Sequence, residues 1–178
     1  TTGQAALERL RALIPVAPPE AVAPININQL LREVLELDKQ RLLAGGMIVD
    51  WKPTPILPAV TARVSRLRSM FKHLIENALD AMEGSRHDPR ELRIATSLRD
   101  EAVIVIIEDT GPGVPAELRW QIFEPFFTTK RAATHVGLGL ALVQEVVNEQ
   151  RGVISIDPDY VTGCRWRISL PLRYDDDS

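Results

Sequence analysis

The stretch that decides the fold is Ala102-Val103-Ile104-Val105-Ile106-Ile107-Glu108-Asp109-Thr110-Gly111-Pro112-Gly113. Its first half is an almost unbroken apolar run rich in β-branched residues, as expected for a strand covered on at least one face by helices. Asp109-Thr110-Gly111-Pro112-Gly113 then breaks the strand. An acidic residue at the end of a buried strand, followed by Gly-x-Gly, lets backbone approach a flat ligand while a carboxylate points at it. A carboxylate only accepts hydrogen bonds, so it suits an exocyclic amine such as N6 of adenine. Taken alone, the same residues make an ordinary β-turn capped by Asp.

Upstream, Leu92–Leu98 alternates and reads as a second strand. Before it lies a long helix that the periodicity starts near Val60. At 100° per residue, Val64, Leu67, Phe71, Ile75, Ala78, Leu79 and Met82 share an arc of roughly 120°. Arg66, His73, Asn77, Asp80 and Gly84 occupy the opposite side, with Glu76 on its flank. The amide oxygen of Asn77, with Ala78 and Ala81 beside it, is a hard ligand of the kind Mg²⁺ takes alongside phosphates. The plain alternative is a solvated polar face. Downstream, Phe123-Glu124-Pro125-Phe126-Phe127-Thr128-Thr129-Lys130 could anchor a lid and offer Lys130 to phosphate oxygens, or form a local apolar cluster with an exposed lysine. Gly137-Leu138-Gly139-Leu140 leads into a helix expected over Gly139–Glu149. Glycines before a helix N-terminus make an anion site, but equally a tight helix start. Strands are expected at Val153–Ile156 and Cys164–Leu170.

The N-terminal part is organised by proline. Seven of the 13 prolines lie between Pro15 and Pro58. A helical piece over Gln4–Ile14 stops at Pro15, and Ala17-Pro18-Pro19-Glu20 reads as a stiff linker. Ile25-Asn26-Ile27 reads as a short strand and Asn28 as the N-cap of a helix to Ala44, ended by Gly45-Gly46. Met47–Trp51 is strand-like. The sum is an α+β fold, a mixed sheet packed on about three helices.

Composition bounds the function. The 178 residues, 45% hydrophobic and 25% charged, suffice for a core without disulfides or structural metal. Cys164 alone cannot form an internal disulfide, which fits a reducing, cytoplasmic setting. No run of 18 apolar residues exists, so no membrane span or membrane contact is expected. A net charge of −3 with mixed signs gives no reason to expect nucleic-acid binding. The start at Thr1 rather than Met suggests a piece of a longer protein.

The order of the motifs carries a resemblance. Asn77, then Asp109-x-Gly-x-Gly, then the Phe/Thr/Lys segment, then Gly-x-Gly-Leu resembles the ATP-binding catalytic domain of two-component sensor histidine kinases, the Bergerat or GHKL fold. These are its N box, first G box, F box and second G box. The resemblance implies a two-layer α/β sandwich spanning residues 24–172. Residues 1–23 would then be the end of an upstream dimerisation helix and a proline-rich linker, and 173–178 an acidic tail. It implies ATP or ADP with Mg²⁺ as ligands. Asp109 would bind the adenine amine, with Gly111 and Gly113 shaping the pocket, and Asn77 would ligate the metal. Gly137, Leu138, Gly139 and Leu140 would close a lid, roughly Val114–Val136, on the phosphates. Phe123, Thr129 and Lys130 would belong to that lid, with Lys130 on phosphate. The implied partners are the upstream dimerisation and phosphoacceptor domain of a homodimeric parent, and a response regulator or transcriptional activator. Arg66–Lys72, Leu57–Val60 and Phe123–Lys130 are similar to the nitrogen-fixation regulator NifL and its relatives, some of which sense nucleotide without transferring phosphate.

The chain departs from the family pattern in several places. His73 stands where many kinases carry a second Asn, four residues before Asn77. The hydrolytic relatives place a general-base Glu there, so an autonomous ATPase is the weakest reading, although Glu76 lies nearby. Asn77, Glu76 and His73 are the candidate catalytic residues. Leu138 and Ala141 replace the usual Thr and Gly. The three histidines, His73, His87 and His135, all lie within the domain, so this stretch carries no upstream phosphoacceptor.

Overall fold

The computed structural model describes residues 3–6, 20–86, 88–113, 134–157, 159–160 and 162–173, with backbone alone for 134–139. Element order is β1 (Ala23–Ile25), α1 (Ile27–Leu37), α2 (Lys39–Ala44), β2 (Ile48–Lys52), β3 (Val60–Ala62), α3 (Val64–Glu83), β4 (Glu91–Arg99), β5 (Ala102–Asp109), α4 (Thr134–Glu149), β6 (Val153–Ile156) and β7 (Cys164–Pro171). The five-stranded sheet runs β2-β4-β5-β7-β6, with β2 parallel to β4 and every other pair antiparallel. β1 and β3 form a small antiparallel ribbon of their own. The architecture is the expected α+β sandwich.

One face of the sheet supplies the core. Leu92, Ile94, Val103, Val105, Ile107, Ile168 and Leu170 alternate inward and meet α3, where Leu67, Met70, Phe71, Leu74, Ile75 and Leu79 are fully buried. Met70 and Leu74 lie outside the apolar arc drawn from the sequence. They are buried because α3 packs on α1 and α4 as well as on β5. On the outer face an alternating row of charge crosses the sheet. Arg93 Nε stands 4.0 Å from Asp50, Arg93 Nη1 stands 3.8 Å from Glu108, and Arg165 donates to Glu108 at 2.6 Å and to Asp157 at 2.8 Å. The register places Asp50 opposite Arg93, Arg93 opposite Glu108 and Glu108 opposite Arg165. Each pair is worth roughly 0–1 kcal/mol, so the row's larger effect is on register.

Four boundaries differ from expectation, each for a physical reason. The N-cap of α1 is Asn26, whose side chain accepts from Gln29 N at 3.0 Å. Asn28 instead lies inside the helix, buried, donating to Thr54 O at 2.9 Å and accepting from Thr96 Oγ1 at 2.7 Å. Both are Asn residues before an apolar run, and only the tertiary partners distinguish them. The helix to Ala44 breaks at Asp38, which caps α1 and starts α2. Val60–Ala62 pairs with β1, so α3 begins at Val64. Lastly, α4 begins at Thr134 rather than Gly139. A glycine costs only about 1 kcal/mol inside a helix, and Leu138, Leu140, Ala141 and Leu142 around the glycines favour continuation.

Candidate nucleotide site

The site is built where β5 ends against α3. Asp109, the last residue of β5, is 3% exposed. Its carboxylate accepts from the backbone N–H of Gly111 at 2.8 Å and from that of Cys164, the residue opposite it on β7. Burial pushes its pKa up to about 6, and the two N–H bonds pull the other way without cancelling it. An acid so placed is oriented and incompletely solvated, ready to accept a donor brought by a ligand.

The turn after it is pressed onto α3. A Cβ on Gly111 would lie 2.9 Å from Ala81 Cβ and 2.9 Å from Asp109 Oδ1, so only glycine fits. Ala81 is one helical turn beyond Asn77 and shares its face. The structure thus brings the Asp-x-Gly-x-Gly turn beside the Asn77 face. Thr110 fixes the turn from the other side, donating to Pro89 O at 2.9 Å and accepting from Glu91 N at 3.1 Å.

Asn77 is half-buried, and its Nδ2 is buried without a hydrogen-bond partner among the described residues. A buried amide left unmet costs about 1–3 kcal/mol, an arrangement that a group arriving in the groove relieves. His73, also half-buried, lies one turn earlier on the same face. Glu76 sits apart from them. It pairs with Lys72 at 3.6 Å, and its charge acts on Asp38 at the junction of α1 and α2. Among the described residues no three His, Cys, Asp or Glu side chains are grouped to hold a metal.

Gly137, Leu138 and Gly139 lie within the first two turns of α4, not ahead of its N-terminus, so they do not form a glycine loop preceding the helix. Leu140 is 2% exposed and belongs to the core cluster. Phe123, Thr129 and Lys130 lie outside the described residues, as does most of the expected lid. One residue at the site and one apart from it, at the junction of α1 and α2, escape sequence reasoning. Gly163, at φ +151°, runs so close to β5 that a Cβ would stand 1.8 Å from Asp109 O, and its own carbonyl would meet a Cβ on Gly113 at 2.7 Å. The only signal for it is a glycine immediately before the last strand. Asp38 is buried, with Oδ2 unpartnered among the described residues. Burial first, then the charge of Glu76, raises its pKa, against Lys72 and Arg41. Nothing in the sequence marks it.

The family model of histidine kinase-, DNA gyrase B- and HSP90-like ATPases matches residues 62–174. The chain belongs to this family. The ATPase domain is 34% identical over 166 residues to the sensory histidine kinase/phosphatase NtrB of Rhizobium leguminosarum bv. phaseoli, covering 85% of the chain and 42% of that protein. A full-length ShkA structure in complex with AMPPNP superposes with TM-score 0.75 at 29% identity, covering 89% of this chain and 33% of that one. The catalytic domain of histidine kinase ThkA superposes with TM-score 0.74 at 26% identity, covering 85% of this chain and 95% of that one. The ATPase domain therefore spans less than half the length of the NtrB relative and nearly all of a histidine kinase catalytic domain.

Proposed function

We propose that this domain binds ATP with Mg²⁺ and, in its parent protein, delivers the γ-phosphoryl group to a histidine on an upstream dimerisation domain. The observation that carries the nucleotide reading is the contact of the Asp109–Gly113 turn with Ala81, beside an amide on Asn77 that has an unmet bond. The AMPPNP held by the ShkA relative supports the same reading. Asp109 accepts the adenine amine, while Gly111 and Gly113 leave room for the ring. The Asn77 amide oxygen fits a hard cation that keeps several waters and shares phosphate oxygens. A cation so held neutralises phosphate charge. The chain's own contribution is to position the nucleotide and exclude competing geometries. His73 lines the same face and reaches phosphate or ordered water. Lys130, Thr129 and Phe123 serve the lid, and the first turns of α4 border the phosphates.

The parent, on this reading, is a cytoplasmic homodimer that passes phosphate to a response regulator. A second reading, favoured by the likeness of Arg66–Lys72 and Leu57–Val60 to NifL, is a nucleotide-sensing module that controls a transcriptional activator without phosphotransfer. Joining the upstream region to this domain and adding labelled ATP separates the two. Acid-labile phosphate on protein is expected, and its absence despite ATP binding establishes the sensor reading. Asn77→Ala is expected to weaken ATP binding in Mg²⁺ far more than in EDTA, and equal losses reject the metal role.

A further inference from the structure

Two sets of contacts meet on the first turn of α3. From one side comes Glu20, the residue after Pro18-Pro19. Ser65 donates its backbone N–H to Glu20 Oε1 at 3.0 Å and its hydroxyl to Oε2, while Arg63 Nε donates to the Glu20 carbonyl at 3.0 Å. The two Ser65 bonds, the hydroxyl's first, hold the Glu20 carboxyl below its usual range, with the charges of Arg68 and Arg63 adding to them. From the other side α4 is tied in. Arg66 Nε donates to Glu149 at 3.2 Å, and Arg66 Nη2 stands 3.2 Å from Glu145. The helix has no cap of its own, because the Arg63 side chain makes no capping bond and the first turn holds no acidic residue. Its free N–H groups and positive dipole end are therefore met by a carboxylate from outside the helix.

We propose that Glu20 is a positioning residue that clasps the proline-rich linker to the first turn of α3. The clasp fixes the direction in which the preceding segment leaves the domain, relative to the helix that carries Asn77. Glu20 directly follows Pro18-Pro19, so the bonds it makes fix where the chain enters the domain. Arg66 on the same turn grips the last turns of α4, so this turn joins the linker's clasp to the α3–α4 contact. The proposal rests on the reading of residues 1–23 as the link to an upstream domain. It concerns delivery of the nucleotide's phosphate and leaves its binding unchanged.

The test compares Glu20→Ala, Glu20→Gln, Ser65→Ala and the Glu20→Ala/Ser65→Ala pair, using amide hydrogen exchange and ADP calorimetry on this chain. Glu20→Ala is expected to speed exchange at Ser65 and at residues 21–23 about fivefold, the change typical for a lost cap. Glu20→Gln, which keeps an acceptor but no charge, falls between, and the double variant exceeds Glu20→Ala by nothing. ADP affinity stays within twofold in all of them. In the full-length parent, Glu20→Ala is expected to slow phosphate transfer several-fold with KM for ATP unchanged. Unchanged exchange at 21–23 overturns the clasp. ADP affinity falling in step with faster exchange reduces it to general stability, and an unaltered transfer rate overturns the positioning role. Failure of the unaltered chain to bind ADP counts against the nucleotide reading instead, and is read separately from the exchange comparison.

Discussion

Asp109 is the residue where chemistry and cost are most closely joined. Its ordinary carboxyl value of 3.8 rises to about 6 in the fold, so the folded domain prefers the protonated form. The stability this contributes is fully present below about pH 4 and is lost as pH rises through 6. At neutral pH the ionised, buried carboxylate is a strained acceptor, and a ligand amine that donates to it recovers part of the loss. ADP affinity is therefore expected to be about tenfold weaker at pH 5 than at pH 7, flattening above 7. Asp109→Asn, which keeps an acceptor oxygen but cannot titrate, removes that dependence. Asp109→Ala leaves the amine unpaired and costs roughly 1–3 kcal/mol, about 5- to 150-fold in affinity by calorimetry. Asp109 and Asn77 stood out as candidates in the sequence because the chemistry proposed for them restricts the residue type. Asp38 was not legible, since an acid inside a helical run becomes unusual only once Glu76 is folded beside it.

At the scale of elements, most strands were legible to within one or two residues, because alternation and apolar runs mark them directly. Helix starts were less so. Two asparagines compete to cap α1, and Asn28 is drawn inward by Thr54 and Thr96, partners 26 and 68 residues away in sequence. Glycines read as punctuation ahead of α4 lie inside it. The β5–β7 corner gives a sharper lesson. Gly163 and Gly46 both have positive φ, yet a Cβ on Gly46 meets nothing within 4 Å whereas one on Gly163 strikes Asp109 O. Gly46→Ala is expected to cost about 1 kcal/mol, the backbone penalty alone. Gly163→Ala adds a collision that pushes β7 from β5 and is expected to cost at least about 2 kcal/mol more. Urea midpoints of the two variants check this. Equal midpoints mean that the corner yields freely and that Gly163 does not set the position of the Cys164 N–H on Asp109.

On the scale of the whole molecule, sequence periodicity supplied the pieces but not their order. The parallel placement of β2 beside β4 and the charge row from Asp50 to Asp157 depend on strand neighbours that no local pattern encodes. That order has a thermodynamic consequence. The proposed site takes Asp109 from the end of β5, Gly111 from the turn after it, Asn77 and Ala81 from α3, and Gly163 from just before β7, so unfolding any of these elements removes it. A nucleotide that binds this assembled surface and not the unfolded chain stabilises the domain by RT ln(1 + [L]/Kd), about 2.7 kcal/mol at one hundred times Kd. For a domain of this size each kcal/mol raises Tm by about 2–4 °C, so ADP at that ratio is expected to raise Tm by roughly 5–10 °C. Asp109→Ala at the same ADP concentration loses between about a third and nine-tenths of that shift, as its Kd rises about 5- to 150-fold. Glu20→Ala, which leaves the site intact, keeps the shift while lowering the starting Tm. Differential scanning calorimetry of the three proteins, with and without ADP, separates a lost ligand contact from a loosened linker. A shift retained in Asp109→Ala and lost in Glu20→Ala reverses the assignment of the two residues.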